Sequence, residues 1–454
     1  METDKYTKID KSRASLILGA VGDALGAAVE FIKRDEILAK YGDSPNPIKG
    51  IQFPDEAYGK KGAITDDTQM TLFAADSLLS AYKRGAERGI LGEYSGYTLL
   101  SYLRWLETQG QANQNYSDID WWGSKELFDI VKAQGQRGPG NTCLTSLKSA
   151  TKPFEPANND SKGCGTVMRV APIGIFFGNL ITNIDKENLQ KVYDEGVKDA
   201  AITHGNETAH HASGLLAVII ALVLHGEQLE NATHKALALF GTPDVSGIVS
   251  KAVQLTNETP STDNLQTLGQ GWIAEEALAI ALYCSLLCVK AKLSVEDALR
   301  LAVNHDGDSD STGAIVGNLI GISFGTERIP QGLVGTDTEV ASLIELLRKY
   351  GEDLVEIADY SPSSFGPDFE ANNLVEKAKQ LLLKTDPNYS GSFCDKAIDG
   401  IGYLVWQEVR GGGSIIAGND GGILFSNQTG SIGPDEIIQA YKDGKRTDIN
   451  RFDS

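Results

Sequence analysis

Apolar residues recur at helical spacing along most of the chain. In SRASLILGAVGDALGAAVEF (12–31) they are interleaved with Gly and Ala, which predicts a helix with small residues along one face. DDTQMTLFAADSLLSAYKR (66–84) and SGYTLLSYLRWLE (95–107) continue the period. Further helices are predicted over 191–202, 207–225, 229–239, 244–256, 271–291, 294–304, 311–323 and 337–358. Strand-like runs are scarce before residue 390. Polar, Gly- and Asn-rich stretches at 109–118, 134–142 and 155–165 read as loops between helices. The pattern predicts a compact, multi-helix, all-α domain over residues 1–365.

The pattern then changes. One more amphipathic helix is legible in the Pro- and Gly-punctuated stretch SPSSFGPDFEANNLVEKAKQLLLKTDPNYSGSF. After it, YLVWQEV, SIIAG and GILFSN are short β-type runs split by Gly clusters. GPDEIIQAYKDGKR reads as a helix with Pro434 and acidic residues at its start. Residues 390–454 are therefore expected to form a small α+β module. Its RGGGS and NDGG clusters read as hairpin turns rather than anion cradles, because neither opens a helix after a strand.

Composition narrows the function. The 61 acidic residues outnumber the 41 basic ones, for a net charge of -20. That argues against a nucleic-acid partner or an anionic membrane surface, but not against a small anionic ligand beside a bound metal. The longest apolar run, ASGLLAVIIALVL (212–224), is short of a bilayer span and reads as a buried core helix. The five cysteines include no CxxC pair, and Cys284 and Cys288 lie one helical turn apart in an apolar segment. With an N-terminus lacking a signal-peptide pattern, this favours a cytoplasmic protein.

Two acidic clusters stand out. Thr65, Asp66 and Asp67 open one predicted helix. Asp306, Asp308 and Asp310 alternate just before another, with Ser311 at its start. A helix needs one cap, and crowded carboxylates repel one another unless something positive lies between them. The clusters therefore suggest hard-cation sites built from oxygen ligands. DGDSDSTGAIVG is not an EF-hand loop, since it lacks the Gly at position six and the Glu at twelve. The clusters alone leave a metal-dependent phosphatase open.

Six segments in order, GDALGAAVEF, TDDTQM, GCGTVMRVAPIG, THGNETAHHASGLLA, GWIAEEALAIALYC and NHDGDSDSTGAIVGNLIG, resemble the ADP-ribosylglycohydrolases, and most closely the bacterial dinitrogenase-reductase-activating branch. The resemblance spans roughly residues 12–360. It implies an all-α fold holding two divalent cations, Mg²⁺ or Mn²⁺. Thr65, Asp66, Asp67 and Asp310 would hold one, and Asp308, Asp310 and Ser311 the other. It further implies hydrolysis of the bond between the ribose of ADP-ribose and a protein side chain, arginine ahead of serine. Glu30, Asp66 and Asp67 are the candidate general bases.

For the substrate groove the resemblance implies Gly163, Cys164, Gly165, Thr166, Met168, His204 and Trp272. Cys164 stands where the family usually has Asn. Read from chemistry alone, Trp272 equally suits a core position, His210 and His211 suit helix packing, Arg169 suits an internal ion pair, and Asp23 suits a structural hydrogen-bonding role. The implied partners are a mono-ADP-ribosylated protein and ADP-ribose as product. A cognate ADP-ribosyltransferase toxin is a further possible partner, since family members accompany such toxins as immunity proteins. An inactive scaffold is a third reading, against which the complete acid set argues.

Overall fold

A computed structural model describes residues 2–42, 48, 50–88, 93–116, 123–152, 155–356, 367–398, 401–408, 412–419, 422–427 and 434–448. The chain divides into two compact units, Met1–Ala81 with Glu93–Asp359, and Tyr82–Gly92 with Tyr360–Ser454.

Among its described residues the first unit is helical apart from one short hairpin. Its elements are α1 (Glu2–Gly26), α2 (Arg34–Tyr41), β1 (Glu56–Ala57), β2 (Lys60–Lys61), α3 (Asp66–Arg88), α4 (Tyr94–Thr108), α5 (Lys125–Gln134) and α6 (Asn141–Ser149). Then follow α7 (Ala171–Leu180), α8 (Lys186–Ala201), α9 (Glu207–Leu224), α10 (Leu229–Phe240), α11 (Pro243–Leu255) and α12 (Thr262–Gln266). The last are α13 (Ala274–Val289), α14 (Val295–Val303), α15 (Ser309–Phe324), α16 (Gln331–Val334) and α17 (Glu339–Glu356). The apolar run 212–224 lies on α9 and is buried throughout.

The pair α1–α15 sets the centre. Gly22 and Gly26 of α1 face the backbone of Gly313 and Ser309–Asp310 in α15, while Gly317 faces Leu18. A methyl on Gly22 would lie 2.0 Å from the Gly313 carbonyl oxygen, and one on Gly317 1.9 Å from that of Leu18. Only hydrogen fits at such distances, so the two backbones touch. Ser15 and Asn318 lock the crossing with reciprocal hydrogen bonds of 3.0 and 2.9 Å. The small-residue face read from the sequence is therefore what presses the end of α1 against the start of α15.

Several local readings differ. The helix expected to run to residue 31 ends at Gly26 and begins at Glu2. Residues 27–31 form turns, with Glu30 N donating to the Gly26 carbonyl at 2.9 Å, and Phe31 takes a left-handed backbone (φ +64°). Helix α13 starts at Ala274 because Ile273 pairs with Gly163 in a short antiparallel bridge. Helix α7 was hidden by its Pro172 and two glycines. Gly174 and Gly178 are helical because they let α7 pack closely on α9, at Ala217, Ile220 and Ala221.

In the second unit β3 (Phe393–Ile398), β4 (Gly402–Gln407), β5 (Gly413–Gly418) and β6 (Ile423–Asn427) form an antiparallel meander in the order β3-β4-β5-β6. Side-chain alternation divides the sheet. Val405, Ile415, Ala417 and Ile423 pack on Val375, Ala378, Leu381 and Leu382 of α18 (Pro367–Thr385). Leu404 and Ile416 pack with Ile437 and Tyr441 of α19 (Pro434–Lys442). Helix α18 thus shares the module's core. The two Gly clusters fall between paired antiparallel strands, although residues 409–411 and 420–421 lie outside the described residues.

Candidate active site

Why α3 opens with three oxygen side chains is explained by where its cap comes from. The Asp23 carboxylate, on α1, accepts from Thr65 N at 3.0 Å and from Thr68 N at 3.1 Å, and also from the Thr68 hydroxyl. That is the work of an N-cap, supplied by another helix and completed by Thr65 Oγ1, which accepts from Asp67 N at 3.3 Å. Asp66 and Asp67 are left over. Both are buried, as is Thr65. Asp66 Oδ2 accepts a long bond from Gly140 N (3.4 Å), and Asp67 Oδ2 has no hydrogen-bond partner. An orphaned carboxylate oxygen in a protein interior calls for a positive partner.

Helix α15 is capped differently. Asp308 is its own N-cap, with Oδ1 accepting from Ser311 N at 3.2 Å. Its Oδ2 takes the Cys164 thiol at 2.7 Å. Asp310 accepts from Ser311 N at 3.0 Å and from the Thr65 hydroxyl. Thr65 thus joins the start of α3 to the start of α15.

The electrostatics follow from this crowding. Burial, then the charge of Asp310, push Asp66, Asp67 and Asp308 well above the ordinary carboxylate range. Burial likewise raises Asp310, and with Asp310's charge raises Asp23 to about 7. Glu30 is pushed up by burial and by Asp310, Asp308, Asp66 and Asp23, so its carboxylate lies in the same field. Among the described residues no lysine, arginine or histidine pairs with any of these six acids. Nor do any three His, Cys, Asp or Glu side chains among them converge on one ion position. The donor set nevertheless fits hard cations: oxygens only, buried, mutually repelling, and one left without a partner.

The remaining expected residues sit around this centre in two ways. Cys164 and Met168 face it: the thiol bonds Asp308, and Ser311 Oγ lies 3.9 Å from the Met168 sulfur. Burial and Asp308 push the Cys164 thiol well above its ordinary value, which keeps it protonated and unreactive. Gly163, Gly165, Thr166 and His204 form a packing unit behind. A methyl on Gly163 or Gly165 would lie 3.0–3.1 Å from the His204 ring. The bare faces of those glycines are thus filled by the protein's own imidazole, where a ligand's diphosphate or ribose was expected. Thr166 is buried, and its hydroxyl caps the Gly163 carbonyl.

His204 is buried, bonded at Nδ1 to Thr203 Oγ1 (2.8 Å), and burial lowers its pKa to about 3. It supports the loop as a neutral ring. Trp272 is half-buried. Its carbonyl accepts from Cys164 N at 3.1 Å, and its ring stacks on exposed Phe31 at 5.3 Å and 24°.

Arg169 takes the structural alternative: fully buried, it pairs with Asp199 at 3.1 Å and donates to Thr203 Oγ1 at 2.9 Å. His210 and His211 bond the His204 carbonyl and the Tyr193 hydroxyl, as helix-packing residues do. Sequence reasoning missed Tyr58, Arg137 and Gly138. A lone tyrosine in AYGKKG and a loop QRGPG carry no spacing signal. Arg137 is tied to Glu339 at 3.2 Å, its carbonyl accepts from Asp66 N at 2.9 Å, and its guanidinium lies 5.2 Å from the Tyr58 ring. Elsewhere a cleft lined by Glu93, Lys152, Glu155 and Lys198 shares no residue with this centre. Its lysines are paired with its glutamates (2.8–2.9 Å), so it offers no net field to an anion.

Fold and site together define an all-α domain, followed by a small α+β module, with buried carboxylates gathered at two helix starts. The sequence profile of the ADP-ribosylglycohydrolase family matches residues 4–363, and the chain belongs to that family of hydrolases. It is 24% identical over 332 residues to the ADP-ribosylarginine hydrolase Tri1 of Pseudomonas putida (strain GB-1), covering 71% of this chain and 72% of that one. It is 23% identical to the ADP-ribosyl-[dinitrogen reductase] glycohydrolase of Rhodospirillum rubrum (71% and 88% covered). To the ADP-ribosylhydrolase ARH3 of Mus musculus it is 24% identical (71% and 86%). A solved ADP-ribosylglycohydrolase-related protein complex shares the fold, with a TM-score of 0.53 at 23% identity over 78% of this chain and 99% of that one.

Proposed function

We propose that this hydrolase removes mono-ADP-ribose from modified protein side chains, arginine foremost, with the help of two divalent cations. The observation that carries the reading is the unpartnered Asp67 Oδ2 among four other buried acids. Thr65, Asp66, Asp67 and Asp310 would hold one ion, and Asp308, Asp310 and Ser311 the other. Bound there, Mg²⁺ or Mn²⁺ would supply Lewis acidity, orienting ribose hydroxyls and acidifying a water. The chain's own part is acid–base and positional. Glu30, on a turn rather than within a helix, is the first candidate to take the proton of a water attacking the anomeric carbon, once bound cations offset the field of the neighbouring acids. Asp66 is a second candidate base. Cys164, as a neutral donor, fixes the Asp308 carboxylate. The arginine preference rests on the likeness to the Tri1 hydrolases, whose name specifies that acceptor.

The test is Asp310→Asn, which keeps the shape and removes the charge shared by both proposed sites. Release of ADP-ribose should fall about 100-fold or more with cooperative unfolding retained. Near-wild-type turnover would refute the assignment.

A further inference from the structure

Tyr58 sits at the tip of the β1–β2 hairpin in a strained conformation. Tyr58 and Gly59 both have positive φ (53° and 73°), the geometry of a two-residue turn that favours Asn or Gly at its first position. A bulky residue held there needs support, and strain of this kind gathers at functional sites. The support is visible. Lys60 pairs with Glu339 at 2.9 Å, Lys61 with Asp337 at 3.0 Å, and the Arg137 guanidinium lies over the Tyr58 ring. Yet the hydroxyl this scaffold presents makes no hydrogen bond among the described residues, and neither does the Glu30 carboxylate.

Both are aimed at one point. A methyl placed on Gly138 would lie 2.7 Å from Tyr58 Oη, 3.6 Å from Glu30 Oε2 and 3.9 Å from Asp66 Oδ1. Gly138 has φ +71°, and the Tyr58 hydroxyl already lies against its bare face, so the three oxygens converge beside this glycine. One phenolic donor and two carboxylate acceptors converging beside one glycine match a group that both accepts and donates, namely a hydroxyl.

We propose that Tyr58, Glu30 and Asp66 form, over Gly138, a subsite for a hydroxyl at the reacting end of the substrate, either a ribose hydroxyl or the attacking water, with Tyr58 as its donor. The inference rests on the hydrolase reading above and adds Tyr58 and Gly138 to the groups that touch the reacting partners.

The experiment uses the full chain, with ADP-ribose binding followed by calorimetry and hydrolysis followed on an arginine-modified protein. Tyr58→Phe should lower kcat/KM about tenfold, the worth of one hydrogen bond, without changing the Tm, because the hydroxyl has no structural partner. If the Kd for ADP-ribose rises by the same factor, the subsite holds a ribose hydroxyl. If kcat falls and Kd does not move, it holds the water. Gly138→Ala, whose methyl would displace the Tyr58 hydroxyl, should make the Tyr58→Phe change nearly silent in the double variant. Unchanged kcat/KM and Kd in Tyr58→Phe would overturn the subsite, as would a several-degree loss of Tm or additive losses in the double variant. Should the wild type bind ADP-ribose but hydrolyse nothing, a tenfold weaker Kd in Tyr58→Phe would keep the subsite and overturn the hydrolase reading. An unchanged Kd there would overturn both, as would absence of binding and hydrolysis together in the wild type.

Discussion

Helices α3 and α15 meet at one centre and both start with acids, yet they solve their N-termini in different ways. Helix α15 caps itself with Asp308. Helix α3 is capped by its own Thr65 and, from α1, by Asp23, and Asp66 and Asp67 are thereby left without a capping duty. Acidic residues at a helix start are ordinarily explained by the cap and the helix dipole. Here that explanation is used up by Thr65 and by Asp23, 42 positions upstream of it. What remains at α3 is surplus negative charge, and surplus buried charge with an orphaned oxygen points to a ligand rather than to folding.

The comparison is broken most severely at the crossing that brings both starts together. Gly22→Val would drive a side chain into the Gly313 carbonyl. The expected loss is about 3 kcal/mol or more in urea unfolding, since overpacking of a tight contact costs in this range, and metal response should vanish with it. Asp23→Ala removes the borrowed cap and leaves buried donors unmet, with an expected loss of about 2 kcal/mol. Asp67→Ala, by contrast, removes a carboxylate oxygen that nothing in the chain uses, and stability in EDTA should stay level or rise. Equal losses in the two variants would show that both acids serve the fold.

Cations sharpen the same contrast. At concentrations about 100-fold above Kd, Mg²⁺ or Mn²⁺ should add about 2.7 kcal/mol by linkage, read as a rise in Tm that Asp67→Asn abolishes. No shift at millimolar metal would count against the site.

The smallest effect concerns the neutral rings that flank the centre. Burial lowers His305 to about 4 and His204 to about 3. An unfolded histidine takes a proton near pH 6.5, so between there and pH 4 the unfolded state binds more protons and stability falls as pH falls. For His305 the loss from pH 7 to pH 5 is about 2 kcal/mol. His305→Gln should show a correspondingly shallower decline in urea unfolding over that interval, and an unchanged slope would contradict the burial argument.

Much of the helical unit was legible because its helices are long and periodic, and because the acid clusters sit at sequence-visible helix starts. What escaped had physical reasons. Glycine in α7 lowers helix propensity but allows the close packing that makes it helical. Glu30 reads as the end of a helix, whereas the contact of Gly26 with α15 coincides with the helix end and leaves Glu30 on a turn. Tyr58 and Gly138 come together only through tertiary contacts, which no local spacing records. His204 shows the converse. Its sequence context suggested a ligand contact, and the structure spends it on filling the space beside two glycines. In the small module, short β-type runs between Gly clusters marked β4 to β6, while the edge strand β3, with Asp395 and Lys396 exposed, lacked the apolar run that would have announced it.

The central claim is that surplus acids at the start of α3 serve hydrolysis of an ADP-ribosyl bond. The direct measurement is release of free ADP-ribose from an arginine-modified protein, with Mg²⁺, with EDTA and with Asp310→Asn, beside a serine-modified peptide. The account predicts metal-dependent release from arginine that is lost in EDTA and in the variant. Release that survives both treatments, or none from either substrate, would contradict it.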